Sequence, residues 1–222
     1  MNEYVIFVLF VVIICIVTYF DFYRYFYLHN FICKTNDFDE YIDYYQELSK
    51  LDEIDSKVVI SFSTTPDKIR KIRPMIKSIL DQSVKVDKII LNLPDTCEGM
   101  EYKVPEDYKD VLNVYNCGKD YGYGNKFIPT LLRESDYGTI LIMLDDEYIY
   151  GYDFIEKLLF ESIEYPNRMI YSEGAMLVKP EFFRKEILNI KESVITENVI
   201  KKYIKVNSNR VKYYKNIKSY KI

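Results

Sequence analysis

The chain has 222 residues, enough for one or two domains. Hydrophobic residues make up 49% of it and charged residues 29%, with 30 basic against 34 acidic side chains and a net charge of −4. This balance is typical of a globular protein and excludes a disordered, collagen-like or coiled-coil chain. Four cysteines and one histidine are too few for a Cys/His zinc site, and their spacing indicates no disulfide framework.

The N-terminal segment is strongly apolar. Residues 4–20 carry no charge, and Thr18 is the one clearly polar side chain among them. As a helix they would extend about 25 Å, slightly less than the hydrocarbon core of a bilayer. No basic residue precedes the segment and bulky residues follow it, which argues against a cleaved signal peptide. We therefore expect a retained single-pass membrane anchor, with a buried core helix as the alternative.

The basic residues that flank this segment bear on its orientation. No Lys or Arg precedes it, whereas Arg24 and Lys34 follow it. Under the positive-inside rule these two residues weakly favour a cytoplasmic body, so the side of the membrane stays open.

Residues 21–56 are polar and acidic and lie between the anchor and the rest of the chain. Within them, Tyr41, Tyr44, Tyr45 and Leu48 follow helical spacing. We interpret residues 21–56 as a stem that contains one short amphipathic helix.

From residue 57 onward, short apolar runs alternate with helical patterns. The predicted strands are 58–63, 86–94, 111–116, 139–144, 169–172 and 174–180, and the predicted helices are 64–82 and 152–164. Thr64-Thr65-Pro66-Asp67 is typical of a helix N-terminus, with an N-cap and a proline in the first turn. Strand 139–144 is apolar at nearly every position, as expected when both faces are covered. The sequence predicts an α/β domain over 57–222 with a mostly parallel sheet.

The C-terminal tail differs in charge from the body. Residues 201–222 hold eight basic side chains and no acid, whereas residues 21–200 have a net charge of −11, from 22 bases and 33 acids. One interpretation is a final edge strand that includes VKYY (211–214) and whose lysines discourage edge-to-edge pairing. The other is a surface that contacts anionic lipid.

The strongest candidate for a functional site is Asp145-Asp146-Glu147, which directly follows strand 139–144. Ligands of open α/β sheets bind at the carboxyl ends of strands, where these acids fall. A hard divalent cation bridging to phosphate oxygens would neutralise three adjacent carboxylates. On an extended segment, Asp145 and Glu147 would point to one side and Asp146 to the other. A solvated acidic turn is the alternative interpretation.

Several common catalytic motifs are absent from the sequence. It contains no P-loop, and no G-x-G-x-x-G follows the first strand. The sole histidine, His29, lies beside the apolar segment, which argues against a Ser-His-Asp hydrolase.

Four segments of the body occur in an informative order. They are VVISFSTTPDKIRKIRPMIKSILDQSVKVDKIILNLP, whose helix ends in Ser-x-x-x-Gln; CGKDYGYGNKFIPTL, of the form D-x-G-x-x-x-K; LIMLDDEYIY; and GAMLVKPEFF. Together they resemble the nucleotide-sugar-dependent glycosyltransferases of the GT-A fold, close to family 2, with the third segment similar to the D-x-D motif. The resemblance implies a GT-A-like, mostly parallel sheet flanked by helices.

The resemblance also implies a donor site for a UDP- or GDP-sugar. The residues that would line its nucleobase pocket are Ser61, Thr64 and Thr65. Those that would lie near the nucleoside, the diphosphate or the sugar are Asp120, Lys126, Asp145 and Asp146. The acceptor would be a glycan, a protein or a lipid.

A metal and a base complete the implied chemistry. Asp145 and Glu147 would hold Mn²⁺ or Mg²⁺ against the diphosphate, and Glu197 would deprotonate the acceptor hydroxyl. The implied function is that of a membrane-anchored, metal-dependent glycosyltransferase.

Departures from the family pattern leave a second hypothesis open. Only 75 residues follow Glu147, and the third acid of the motif is Glu rather than Asp. A catalytically inactive GT-A-like binding or scaffold protein is therefore the alternative. A nucleic-acid partner is not expected, because the acidic body repels phosphate backbones.

Overall fold

The computed structural model describes residues 3–19, 38–190, 196–210 and 217–218, which fall into two units. The first unit contains helix α1 (Glu3–Tyr19), whose side chains are exposed from residue 3 to residue 16. The apolar segment is therefore helical, as predicted. Within the described residues, no helix combines the length and the apolar character needed to cross a membrane. The membrane anchor stays a prediction.

The second unit, Phe38–Lys221, is an α/β domain. Its described helices are α2 (Asp39–Glu47), α3 (Arg73–Leu80), α4 (Tyr108–Val111), α5 (Ile128–Arg133), α6 (Phe154–Glu164) and α7 (Glu197–Lys202). Short 3-10 helices span Gly122–Lys126, Pro180–Phe182 and Lys185–Asn189. Its described strands are β1 (Val58–Phe62), β2 (Lys88–Leu93), β3 (Thr96–Cys97), β4 (Met100–Glu101), β5 (Asn113–Asn116), β6 (Ile140–Leu144), β7 (Tyr148–Ile149), β8 (Met169–Ser172), β9 (Ala175–Val178), β10 (Ser208–Arg210) and β11 (Ile217–Lys218).

Seven of these strands form one sheet in the order β10-β8-β9-β6-β1-β2-β5. The pairs β1–β2, β1–β6, β2–β5 and β8–β10 are parallel, whereas β9 is antiparallel to both of its neighbours. The predicted α/β class with a mostly parallel sheet is therefore confirmed. Since β9 lies between β8 and β6 and is antiparallel to both, β8 and β6 run in the same direction. Their carboxyl ends therefore lie at the same edge of the sheet.

Apolar side chains cover both faces of the sheet, because successive residues of a strand point to opposite faces. In β6, Ile140, Ile142 and Leu144 belong to the core that contains residues of α3 and α6. Leu141 and Met143 belong to a second core with residues of α5 and α7. Every residue of β6 is buried, as the sequence predicted.

Helix α3 begins at Arg73 and not at the predicted cap around Thr64 and Thr65. The preceding residues form turns, in which the backbone N–H of Ile69 donates to the carbonyl of Thr65. The predicted N-cap is wrong because the helix begins at Arg73 and the residues after Thr65 form turns. Each threonine hydroxyl donates a hydrogen bond. That of Thr64 donates to Asp146, and that of Thr65 donates to a carboxylate in the turn.

The predicted amphipathic helix in the 21–56 segment is present as α2 and packs against α3. Phe38, just before it, makes an edge-to-face contact with Tyr108 at a centroid distance of 5.8 Å, and Tyr41 is buried in the same core. The division of the chain into a stem and a domain at residue 57 stays a prediction.

The described part of the basic tail forms two strands. Among the described strands, β10 (Ser208–Arg210) lies at one edge of the large sheet beside β8. The role of the lysines in discouraging edge-to-edge pairing stays a prediction. β11 pairs with β7, directly after the acidic cluster. The predicted strand VKYY at 211–214 lies outside the described residues. Lipid contact by the tail stays a prediction.

Glu134, at the end of α5, forms ion pairs with two lysines. Lys57 precedes β1 and Lys88 begins β2, and the Nζ atom of Lys88 lies 2.7 Å from Glu134 Oε1. Burial alone would raise the pKa of the Glu134 carboxyl, but hydrogen bonds and charges from both lysines hold that pKa below its usual range. This pairing ties α5 to the amino ends of the central strands.

We expect the substitution Glu134→Gln to lower the free energy of unfolding by about 2 kcal/mol at pH 7, because it leaves two lysines side by side without their counter-charge. The lysines are about one-third exposed, which keeps the loss below that of a fully buried pair. Since the folded-state pKa is depressed, this stabilisation is present above the unfolded carboxyl pKa and is lost as pH falls through the folded value. Urea unfolding at pH 7 and pH 3 measures it.

The matched control is Glu106→Gln, which removes an exposed carboxylate 2.9 Å from Lys109. That change should cost less than about 0.5 kcal/mol at either pH. Equal losses for the two variants at pH 7 would contradict the assigned role of Glu134.

Candidate functional site

The acidic cluster lies at the carboxyl edge of the sheet, where the sequence placed it. Asp145 follows the last residue of β6, and Thr64 lies two residues beyond the end of β1. Because β1 and β6 are parallel neighbours, the residues after each strand reach the same edge. The segment after β1 and the acidic cluster after β6 therefore lie close together, although they are far apart in sequence.

Each acidic side chain of the cluster has a partner within the protein. Lys126 Nζ pairs with Asp145 Oδ1, Thr64 Oγ1 donates to Asp146 Oδ2 at 2.7 Å, and Lys68 Nζ donates to Glu147 Oε1 at 3.2 Å. The protein therefore supplies part of the counter-charge that the sequence argument assigned to a metal ion.

The Lys126–Asp145 pair joins a buried lysine to a carboxylate whose side chain is 35% exposed. Lys126 is only 5% exposed, and its Nζ lies 4.2 Å from the ring centroid of Tyr123. Both the carboxylate and the aromatic face compensate the buried cation. A cavity of about 100 Å³ adjoins the pair and is also lined by Tyr171 and Met176.

The backbone of the cluster departs from the predicted extended geometry. β6 ends at Leu144, and Asp146 and Glu147 form a turn before β7. We expected Asp145 and Glu147 to point to one side and Asp146 to the other because we assumed an extended segment. That assumption is wrong, since Asp146 and Glu147 form a turn. The turn instead directs Asp146 and Glu147 toward Thr64 and Lys68, which both follow β1.

The environment of Asp146 disfavours the ionised form of its carboxyl group. Burial raises the pKa of Asp146, and its hydrogen bond from Thr64 and the charge of Lys68 only partly oppose that effect. The adjacent acids on either side raise the pKa further. Additional positive charge at this turn would therefore stabilise the ionised cluster.

Ser61 lies beneath the site and not on its surface. It is fully buried, and its hydroxyl donates to the carbonyl of Lys126 at 2.8 Å. Asn92 Nδ2 donates to both Ser61 Oγ and Thr130 Oγ1, at 3.0 and 2.8 Å. This polar network supports the segment that carries Lys126, while the implied contact of Ser61 with a nucleobase stays a prediction.

The contacts described for the remaining predicted site residues lie within their own segments. Thr65 Oγ1 donates to Asp67 Oδ1 at 2.5 Å. Asp120 Oδ1 accepts from the Gly122 N–H at 2.7 Å and so begins the turn that leads to Lys126. Glu197 is the first residue of α7, and its side chain lies outside the described residues.

The carboxylates of the cluster fit the ligand preference of the expected metal. Mg²⁺ and Mn²⁺ favour oxygen ligands, and Mg²⁺ is commonly held by one or two carboxylates together with substrate phosphates. Asp145 and Glu147 would supply that number. Among the residues described, no three His, Cys, Asp or Glu side chains are arranged as a metal-binding group. The metal ion stays a prediction.

Two contributors to the site were missed by the sequence analysis, namely Lys68 and Tyr150. Lys68 is one of many lysines, and its only signal was its position in the segment directly after β1. Tyr150 follows the acidic cluster by three residues, but tyrosine is so frequent here, at 23 residues, that no single one stood out.

Gly174, in the turn between β8 and β9, makes a close contact with the site. Its φ angle is +75°, and its carbonyl accepts from the Asp145 N–H at 2.8 Å. A Cβ atom at this position would lie 2.4 Å from Cδ2 of the Tyr148 ring. Only glycine allows both the left-handed backbone and the ring packing.

We expect Gly174→Ala to lower the free energy of unfolding by about 2–4 kcal/mol, since it adds a steric clash to the cost of a left-handed backbone. The control is Gly99→Ala, which has a φ angle of +77° and no atom within 4 Å of the added Cβ. The control should lose only the backbone cost of about 1–2 kcal/mol. Thermal unfolding compares the two, and equal losses would show that the Tyr148 contact is not tight.

Comparison with known proteins gives no assignment. No family model matches the chain, and no curated protein is significantly similar to it. The resemblance to GT-A glycosyltransferases therefore rests on the four sequence segments alone.

Proposed function

We propose that this protein is a metal-dependent glycosyltransferase that uses a nucleotide-sugar donor and has a GT-A-like domain. The observation that supports the proposal most strongly is the ion pair between the buried Lys126 and the partly exposed Asp145. These residues occupy the lysine position of the D-x-G-x-x-x-K segment and the first position of the D-x-D-like segment. The two positions meet at the carboxyl edge of the sheet, where ligands of open α/β sheets bind.

The charges at this edge suit a diphosphate that binds together with a divalent cation. Asp145 and Glu147 would bind Mn²⁺ or Mg²⁺, while Lys126 and Lys68 would turn to the phosphate oxygens. Such an exchange of partners keeps each charged side chain compensated. The bound cation would stabilise negative charge on the leaving nucleoside diphosphate as a Lewis acid.

The acceptor would approach from the side of α7 in this proposal. Glu197 begins α7, which packs beside the Gly122–Lys126 segment. A carboxylate there would take the proton of the attacking hydroxyl as a general base. The acceptor class is a glycan, a protein or a lipid.

A second candidate function is binding without catalysis. It is favoured by the internal partners of the acidic cluster, since Lys126, Thr64 and Lys68 already compensate the three acids. Such a GT-A-like module would serve as a binding or scaffold protein. It would bind nucleotide without transferring a sugar.

We expect the full chain to bind UDP or GDP only when Mn²⁺ or Mg²⁺ is present, because the acids and the phosphates repel one another without a cation. The double variant Asp145→Ala, Glu147→Ala should weaken that binding at least tenfold, which corresponds to about 1.4 kcal/mol. Isothermal titration calorimetry measures both effects.

The matched control for this titration is Glu106→Ala, Asp110→Ala, which removes two exposed acids away from the cluster and changes the net charge equally. It should bind as the unmodified chain does. Equal affinities for the two double variants would refute the proposed cation site. Binding without any turnover of nucleotide-sugars would favour the second candidate.

Membrane attachment through α1 is part of the proposal. Phe7 and Phe10 of this helix are 65% and 60% exposed, and the apolar residues around them are exposed as well. Leaving apolar area in water costs about 25 cal/mol per Å², so this helix favours an apolar environment. A bilayer supplies one.

We expect the full chain to remain with the membrane fraction after an alkaline carbonate wash, and a variant lacking residues 1–20 to be released. The reason is that the deletion removes the uncharged apolar segment. Immunoblotting of both fractions measures the distribution. Recovery of the full chain in the supernatant would contradict membrane attachment.

A further inference from the structure

Tyr150 is a buried tyrosine whose hydroxyl lies at the base of the acidic cluster. The residue is 1% exposed, and its OH lies 2.9 Å from the carbonyl of Asp145 and 2.7 Å from the carbonyl of Gly174. The same oxygen accepts from the Asp145 N–H at 3.1 Å. One hydroxyl thereby joins the end of β6 to the β8–β9 turn.

The backbone around Tyr150 is itself fixed to α3. The Tyr150 N–H donates to Ser78 Oγ at 3.0 Å, and the Ser78 hydroxyl donates to a carbonyl of its own helix. Gln82 Nε2 donates to the carbonyl of Gly151 at 2.7 Å, and Gln82 Oε1 accepts from the N–H of Ile155 at 2.9 Å. Ser78 and Gln82 are the Ser-x-x-x-Gln pair of the first sequence segment, and both are almost fully buried.

These contacts form a continuous path from α3 to the acidic cluster. Gln82 and Ser78 fix the backbone on both sides of the Tyr150 ring, and the ring delivers its hydroxyl to Asp145. Buried hydrogen bonds of this kind hold a single geometry, because breaking one leaves a desolvated polar group. The position of the Asp145 backbone in turn determines where its carboxylate lies, and that carboxylate pairs with Lys126.

We propose that Tyr150 is a positioning residue, which fixes the Asp145 backbone so that its carboxylate meets Lys126. Its role in the site rests on the proposed function of Asp145 as a donor-site residue. Tyr150 itself touches no substrate in this account. A small displacement of the Asp145 carboxylate or the Lys126 ammonium group would reduce activity steeply, because binding and catalysis depend on the placement of reacting groups.

The test compares Tyr150→Phe with Tyr108→Phe in the full chain. Tyr108 is equally buried, and its hydroxyl donates to a single carbonyl, that of Ile69, at 2.8 Å. Each variant loses one buried tyrosine hydroxyl, and Tyr150→Phe loses more hydrogen bonds, so the loss of stability alone does not decide the role of Tyr150. A merely structural role predicts no change in the Lys126–Asp145 pair in either folded variant. Thermal unfolding establishes that both variants fold.

The first readout is the ¹⁵N signal of the Lys126 ammonium group, which is observable while the burial of Lys126 and its pairing with Asp145 slow proton exchange. We expect Tyr150→Phe to broaden or abolish that signal, and Tyr108→Phe to retain it. This readout needs no ligand, so it tests the positioning role even if the chain binds no nucleotide. The same ammonium signal in both variants would overturn the inference.

The second readout is the affinity for UDP in the presence of Mn²⁺, with GDP as the parallel probe. We expect at least a fivefold weakening in Tyr150→Phe and less than a twofold change in Tyr108→Phe. If the unmodified chain binds neither nucleotide, the proposed function fails while the ammonium readout still decides the positioning role. An altered ammonium signal with unchanged affinity would overturn the importance of Tyr150 for the donor site.

Discussion

Three adjacent carboxylates at the end of one buried strand repel each other, and much of the carboxyl edge of the sheet is arranged around that repulsion. Two unit charges 4 Å apart interact by about 1 kcal/mol in water and by several times as much near a protein surface. The partners that offset this repulsion come from two other segments. Thr64 and Lys68 follow β1, and Lys126 ends a 3-10 helix. The acids are adjacent in the sequence, and the fold brings these segments to them.

The sheet topology makes that meeting possible. β1 lies between β6 and β2, so residues that follow β1 and β6 share an edge. Below that edge, Ser61, Asn92 and Thr130 form a buried polar network that supports the backbone of Lys126. On the other face of the sheet, Ser78 and Gln82 reach the segment after the acids. The acidic turn is therefore fixed from both sides of the sheet.

Hydrophobic patterning predicted most of the fold, since buried strands and amphipathic helices have distinct periods. The strand 139–144 and the helix 152–164 appear with small changes at their ends, as β6 and α6. The start of α3 was misplaced, because the segment that resembles a helix N-terminus forms turns before the helix begins. Local sequence could not reveal the contact of the Thr64 hydroxyl either, since its acceptor lies 82 residues away.

The candidate site was predictable in location but not in its internal contacts. The carboxylate cluster after an apolar strand predicted a site at the carboxyl edge of the sheet. The resemblance to GT-A glycosyltransferases implied that Lys126 belongs to the same site. The contribution of Lys68 and the bonds of Tyr150 depend on tertiary geometry, which composition and spacing do not encode. The Ser-x-x-x-Gln pattern was visible, but its function as a support for the acidic turn became clear only from the hydrogen bonds of Ser78 and Gln82.

The most direct test of the account is a screen of UDP- and GDP-sugars for hydrolysis by the full chain in the presence of Mn²⁺. We expect release of the nucleoside diphosphate from at least one donor. That release should stop when EDTA is added and should fall at least tenfold in Lys126→Met, which removes the cation that pairs with Asp145. Failure to turn over any donor, or a turnover that neither EDTA nor Lys126→Met reduces, would contradict the account.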